Sequence, residues 1–292
     1  MEGKPKIDFG VIGGSGLYKF EGLENIRVIE IDTPFGSPSS PITIGNLGNV
    51  TVGFLARHGY GHTLTPSEVN YRANIYALKA IGAKKVVAIS ACGSLREDFV
   101  PGDLVIPHQL FDFTKSRINS FFGEKFVAHV GVADPFCPDF SDELFSALRN
   151  ITPALHRGGS AITVEGPRFS TKAESQIYRS WGLDLIGMTT SPEAFLAKEA
   201  ELCYGVIYHV TDYDVWHQTE DPVSVEQIFQ IINKNTSLVQ EGIKSLAENY
   251  HAEQKCECPN ALQHAFTTAK SSISDKTLKK LSLLVEKYDL QQ

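Results

Sequence analysis

Two carboxylates, Asp212 and Asp214, stand two residues apart in "HVTDYDVWHQ", directly after an apolar run. Acidic side chains at the end of a buried strand need a partner, because a carboxylate out of water must be paired, hydrogen-bonded or protonated. Desolvation and a neighbouring like charge both raise a carboxyl pKa, which suits proton donation near neutral pH. Other positions offer groups for an anion. "VIGGSGLY" runs a strand into Gly13-Gly14-Ser15-Gly16, where bare N–H groups and one hydroxyl can form an anion nest or a plain tight turn. The place three residues after Gly16 is Lys19, so the dinucleotide fingerprint is not met. "FLARHGYGH" sets Arg57 and His58 just past an apolar strand as a positive pair. Forked guanidinium donors and an imidazole suit phosphate, while an ordinary salt-bridged Arg and a surface His fit the same letters. His62 is read as structural or surface. "ISACGSL" ends a buried strand in Ser90, and "GMTTSPE" places Thr189 before a helix N-terminus. In open α/β sheets ligands bind at the carboxyl ends of the strands. One anion surrounded by Ser15, Arg57, His58, Ser90 and Thr189 is the reading that joins these pieces.

The elements that must position them follow from periodicity. Short, β-branched, nearly continuous apolar runs at 7–13, 49–56, 84–91, 102–107, 159–165, 183–188 and 202–211 predict strands covered on both faces. Helical spacing predicts helices over 68–83, 191–202 and 224–249, the second with Ser191 as N-cap and Pro192 at its first position. The stripe Val225, Ile228, Phe229 and Ile232 reads mostly as core. Alternating strands and helices predict an α/β fold with a largely parallel sheet. A hairpin-like stretch around residues 32–56 adds antiparallel pairing, so the sheet is expected to be mixed. The irregular stretch 112–138 is long enough to expect a functional or interface role. No linker divides the chain, so one domain over 1–292 is expected, with a less regular helical segment from about 251.

Composition narrows the function class. Hydrophobic residues make up 42% and charged ones 21%, as in a soluble globular protein. The net charge of −7 gives no basic surplus for a phosphate backbone, which argues against nucleic acid as partner. No apolar run approaches the roughly 18 residues of a membrane span, so no membrane partner is expected. "MEGKPKIDFGVIGG" has charges and an early glycine cluster where a signal peptide carries its apolar core. The five cysteines are odd in number and scattered apart from Cys256 and Cys258, a pattern that fits a reducing cytosol. A C-x-C is tight for a zinc site and no second pair completes one, so no metal is expected. An exposed, incidental pair and a redox-sensitive pair are the two readings left open.

"IGGSGLY", "DTPFGSPS", "LARHGYGHTLTPSEVNYRANIYAL", "ACGSLRED", "PGDLVIPHQ", "TVEGPRFSTKAES", "MTTSPEAFLAKEA" and "TDYDVWH" together resemble the 5′-methylthioadenosine phosphorylases, the methylthio-nucleoside branch of the trimeric purine nucleoside phosphorylases. The resemblance runs from about residue 7 to about residue 250. It implies one α/β domain around a mixed, partly barrel-like central sheet flanked by helices, assembled as a homotrimer. The implied reaction joins phosphate, a co-substrate, with methylthioadenosine to give adenine and 5-methylthioribose 1-phosphate, with no cofactor. Carried over by motif, Ser15, Arg57, His58, Ser90, Ala91 and Thr189 bind phosphate. Phe169 and Ser170 line the base, and Met188 lies beneath the ribose. His129 reaches across the trimer interface to the 5′ substituent of a neighbour, and Val223, Val225 and Ile228 line the methylthio pocket. Composition alone would make Phe169 and Ile228 core, Met188 gap filling and His129 a surface residue. Glu165 and Arg168 are read as structural.

In the family pattern the residue at Asp212 faces N7 and the 6-substituent of the purine. Adenine shows an acceptor at N7 and a donor amine, and a protonated carboxyl answers both. Asp212, standing where an amide would suit a 6-oxopurine, therefore implies 6-aminopurines, and its proton stabilises the departing base. Asp214 is expected to orient Asp212 or to reach the amine. Ser15 and Ser90 stand where the family often has threonine. Gly187 stands where a larger polar residue is expected, which leaves room for a broader adenosine or purine nucleoside phosphorylase as the alternative. The tail 278–292 fits a helix closing the 5′ pocket. Purine and methionine salvage is the expected role, in the cytoplasm with the nucleus as a second compartment.

Overall fold

The computed structural model describes residues 6–13, 20, 22–217 and 224–290. Its strands are β1 (Phe9–Gly13), β2 (Glu24–Ile29), β3 (Ile42–Leu47), β4 (Val50–Ala56), β5 (Lys85–Ser94), β6 (Leu104–Ile106), β7 (Gln109–Phe113), β8 (Leu155–Arg157), β9 (Ser160–Val164), β10 (Leu185–Gly187) and β11 (Cys203–Asp212). The helices are α1 (Tyr71–Ala80), α2 (Pro138–Leu148), α3 (Lys172–Ser180), α4 (Thr190–Glu199), α5 (Val225–Glu248) and α6 (Asp275–Val285). The apolar runs of the sequence become the strands with the most buried surface: β1 is buried along its whole length, and β5 and β11 almost so. Such strands must be covered on both faces, and helices on the two sides do this. Two large apolar clusters result. One gathers α1, α4 and α6 residues such as Leu78, Leu196 and Leu281. The other gathers α2 and α5 residues such as Leu144 and Val239.

The sheet is mixed, and it forks. Its main order is β2-β3-β4-β1-β5-β10-β9-β7, with β11 paired to β5 and β6, and β6 to β8. Strand β5 is the branch point. Its first residues lie between parallel neighbours β1 and β11. Its last ones, Gly93 and Ser94, pair antiparallel with Ile186 and Leu185 of β10. Splitting the sheet there opens a space between the diverging ends of β5, β10 and β11. The antiparallel pairing foreseen near residues 32–56 is that of β3 and β4, with β2 antiparallel to β3 on the rim.

Two local expectations need correction. Ser191 does hold an extended conformation (φ −95°, ψ 135°), and regular helix follows at Pro192. Its buried hydroxyl, however, finds no partner, so it does not cap the helix through its side chain. The cysteine pair is not isolated and exposed either. Cys258 is buried, Cys256 is half-buried, and both reach Cys137 and Cys203, with all four sulfurs within 4.8 Å of one another. Chain folding supplies the second pair from residues more than fifty positions away, which spacing in sequence cannot show. The tail beyond it returns to the body of the protein. Leu281, Leu284 and Val285 of α6 join the first apolar cluster.

Candidate active site

The fork in the sheet opens into a cavity of about 680 Å³. At one end β11 delivers the two carboxylates. The register of β11 on β5 shifts between Val210 and Asp212, which sets Asp212 opposite Gly93. A bulge of this kind bends a strand and re-aims a side chain. Asp212 Oδ2 accepts from the Thr211 hydroxyl at 2.7 Å, and Oδ1 from the backbone N–H of Asp214 at 2.8 Å. Gly93 makes that approach possible, because a Cβ there would lie 2.8 Å from Asp212 Oδ1. Burial lifts the Asp212 pKa to about 6; the bonds from Thr211 and Asp214 pull it down and the Asp214 charge pushes it up.

Asp214 sits in the left-handed region (φ 49°), which Asp tolerates. It orients Asp212 through its backbone N–H, not through its carboxylate. Its own pKa is raised by burial, against the stabilising hydroxyls of Ser175 and Ser170. One of its oxygens, Oδ2, is buried without a well-formed hydrogen bond, an acceptor held ready on the cavity wall.

The other end carries the anion set. Arg57 is 1% exposed and meets Glu193 in a two-pronged pair, Nε–Oε2 at 2.8 Å and Nη2–Oε1 at 2.9 Å. Its Nη1 donates to the Ile89 carbonyl at 3.0 Å. These bonds leave one N–H on each Nη for a ligand. Burial opposes the guanidinium charge, but Glu193 outweighs it and raises the Arg57 pKa. Tyr204 donates its hydroxyl to the same carboxylate at 2.7 Å.

His58 corrects the expected positive pair. Burial, with the Arg57 charge, lowers its pKa to about 4, so it is neutral near pH 7. Its Nδ1 lies 2.9 Å from the Leu64 carbonyl, which fixes the proton there and leaves Nε2 as an acceptor. His62, read as a surface residue, is exposed and also stacks on His58 at 4.3 Å between centroids. The Ser90 and Thr189 hydroxyls face one another at 3.4 Å. Thr189 flanks α4 without capping it through its side chain, so that hydroxyl is free of helix duty.

The remaining expected residues separate by position. Ala91, Phe169, Ser170, Met188, Val225 and Ile228 all line the same cavity as Arg57, His58, Ser90, Thr189, Asp212 and Asp214. Phe169 is 39% exposed at the opening. The stripe on α5 is only partly core: Ile232 is buried, while Val225 and Phe229 remain 58% and 37% exposed and face the cavity. His129 is exposed and stands away from the cavity lining. Ser15 and Val223 lie outside the described residues. Arg168 pairs with Glu174 at the surface, and Glu165 accepts the N–H groups of Lys115 and Ser116.

Several residues of this site escaped the sequence reading. Glu193 holds Arg57, and its signal was a charge inside the apolar stretch "SPEAFLA". Arg117, in the irregular stretch 112–138, donates to the carbonyls of Met188 and Ser191, each at 2.7 Å, and so braces both sides of Thr189. Nothing in its neighbours announced this. Gly166 gives Met188 its room, since a Cβ there would come within 2.6 Å of the sulfur.

The arrangement can hold an anion at one end and a flat apolar ring near Phe169, and it places a protonatable carboxyl at the other end. A sequence profile for the phosphorylase superfamily matches residues 8–245. The S-methyl-5′-thioadenosine phosphorylase of Geobacter sulfurreducens is 49% identical over 280 residues, which cover 96% of this chain and 98% of that protein. Among solved structures, a methylthioadenosine phosphorylase from an antarctic soil metagenomic library superimposes with a TM-score of 0.92 at 46% identity, over 97% of this chain and all of that one. A methylthioadenosine phosphorylase from Schistosoma mansoni in complex with adenine gives 0.83 at 40% identity, over 88% of this chain and 96% of the other.

Proposed function

This chain belongs to the phosphorylase superfamily, and from that premise we propose that it splits 5′-methylthioadenosine with phosphate into adenine and 5-methylthioribose 1-phosphate. The observation that carries the reading is the pairing of a buried Asp212, its pKa lifted to about 6, with an anion set across one cavity. Phosphate sits against the uncommitted Arg57 donors and the Ser90 and Thr189 hydroxyls. Its protonated oxygen donates to His58 Nε2, or that nitrogen takes up a proton on binding. Phosphate is already anionic and needs no strong base; it must be held below C1′, where it also steadies the developing cation.

The C1′–N9 bond breaks with its electron pair going to the purine, and a phosphate oxygen forms the new bond to C1′. Asp212 gives its proton to N7 as charge builds on the base, so adenine leaves neutral. The unpartnered Oδ2 of Asp214 accepts from the 6-amino group. Phe169 stacks on the ring, and Met188 packs beneath the ribose. Val225 and Ile228 receive the methylthio group.

We further propose a homotrimer in which His129 completes a neighbour's 5′ pocket. Its exposure, with Val127 43% and Val132 37% exposed on the same stretch, supports an interface there. The products fit purine and methionine salvage. The five free cysteines agree with the cytoplasm, the nucleus being a second compartment.

The test is phosphorolysis of methylthioadenosine, adenosine, inosine and methylthioinosine side by side, with and without phosphate. Strict phosphate dependence and preference for methylthioadenosine are expected. Inosine as the best substrate would overturn the role given to Asp212. Equal turnover of adenosine would instead overturn the 5′ assignment.

A further inference from the structure

Outside the cavity, four cysteines from three separate parts of the chain meet. Cys137 lies just before α2, Cys203 opens β11, and Cys256 and Cys258 come from the segment after α5. Their sulfurs all lie within 4.8 Å of one another, and Cys203 and Cys256 are 3.3 Å apart. Among the described residues this is the one grouping of three or more His, Cys, Asp or Glu with metal-ligand spacing. Nothing in the reaction uses it. We propose that these four thiols form a closed, structural zinc site.

The geometry suits that ion. Zinc bound by four thiolates has Zn–S bonds of about 2.3 Å, so the sulfurs stand about 3.8 Å apart at the corners of a tetrahedron. The cluster is already close to that size, and an ion at its centre needs shifts of under about 1 Å. Four soft sulfur ligands with no imidazole or open corner select zinc over magnesium or calcium. Binding breaks four S–H bonds and releases the protons to solvent, leaving a doubly negative centre.

The surroundings support that charge. Cys137 is the N-cap of α2, where the helix field favours a thiolate, and the Phe140 N–H points to its sulfur at 3.5 Å. The Gln254 amide donates to Cys203 Sγ at 3.0 Å. Hydrogen bonds of this kind orient metal ligands from outside. An adjoining cleft of about 480 Å³, walled by Cys137, Cys203, Gln254 and Cys256, gives the ion a way in.

The site would staple the segment after α5 onto the sheet. That segment then carries Ala265, whose carbonyl accepts the His129 N–H at 2.8 Å, and Thr267, whose N–H bonds the Val127 carbonyl at 3.2 Å. A metal at the cysteines therefore fixes the strip that holds the His129 stretch. The proposal stands independently of the reaction assigned above.

The experiment measures metal in the full-length protein, purified under reducing conditions, by elemental analysis. Cobalt loading of the metal-stripped protein and mass spectrometry of the untreated chain accompany it. One zinc per chain is expected, with the strong thiolate-to-cobalt absorption of a tetrahedral sulfur site. Cys256→Ser with Cys258→Ser should abolish both signals and lower Tm by roughly 5 °C or more, while Cys92→Ser should keep the metal. A metal-free native chain whose thiols all alkylate would overturn the proposal. So would a mass deficit marking disulfides among the four in the protein as it is isolated, or zinc that survives the double substitution.

Discussion

The two ends of the cavity solve opposite electrostatic problems. At the anion end, charge is locked in place. Arg57 is anchored on Glu193 over two short bonds, with donors left for the anion, and His58 is held neutral on the Leu64 carbonyl. At the carboxylate end, charge is left adjustable. Asp212 is lifted to a pKa of about 6, and Asp214 keeps a buried oxygen unpartnered. A phosphate of fixed charge can be met by a preorganised set, whereas a leaving group that gains charge needs a group able to change protonation. The difference shows which residues tolerate isosteric replacement. The anion end depends on pairing, and the carboxylate end on a proton.

The sharpest way to break this contrast is Asp212→Asn. It should cut kcat/KM for methylthioadenosine by about 10²–10⁴-fold, measured against inosine, whose relative rate should rise. Full retention of adenine-nucleoside activity would remove the N7 role. Next comes Glu193→Gln, which leaves Arg57 buried beside a neutral amide. Breaking a buried pair in this way destabilises by about 3–5 kcal/mol, read as denaturant midpoint, and should raise KM for phosphate far more than KM for the nucleoside. An unchanged phosphate KM would mean that Arg57 is structural alone.

The pH profile gives a smaller effect, set at the carboxylate end. Asp212 acts when protonated, so kcat/KM should fall as pH rises through about 6. Its folded pKa lies above its unfolded value, so the folded state loses stability relative to the unfolded as pH rises from about 4 to 6. Asp212→Asn should therefore raise Tm at pH 8 and leave it nearly unchanged at pH 3. The smallest expected change is Gly187→Asn. A Cβ there meets Tyr208 at no closer than 3.5 Å, an ordinary contact. It should shift the methylthioadenosine to adenosine ratio a few-fold with little loss of stability.

The sequence shows the anion end more plainly than the devices that tune it. Arg57, His58 and Thr189 follow apolar strands and Ser90 lies within one, and strand ends are where α/β sheets place ligands. What it hides are long-range partners. Glu193 meets Arg57 across 136 residues, and Arg117 reaches Met188 across 71. Helix α3 escaped because only Ser175 and Tyr178 are buried, too few for an apolar period. Strand β2 escaped because it is exposed almost throughout. The fork at β5 depends on pairings β5 makes with strands far along the chain, so no local pattern marks it. The bulge beside Asp212 is equally silent in sequence, although Gly93, its facing residue, stood in a quoted motif.

The exposed faces of Val225, Phe229 and Phe169 at the cavity opening have a thermodynamic consequence. A ligand that covers them releases their hydration water, so association must carry a negative heat-capacity change. Calorimetric titrations at increasing temperature should then show binding growing steadily more exothermic, while the affinity itself changes little because entropy falls in step.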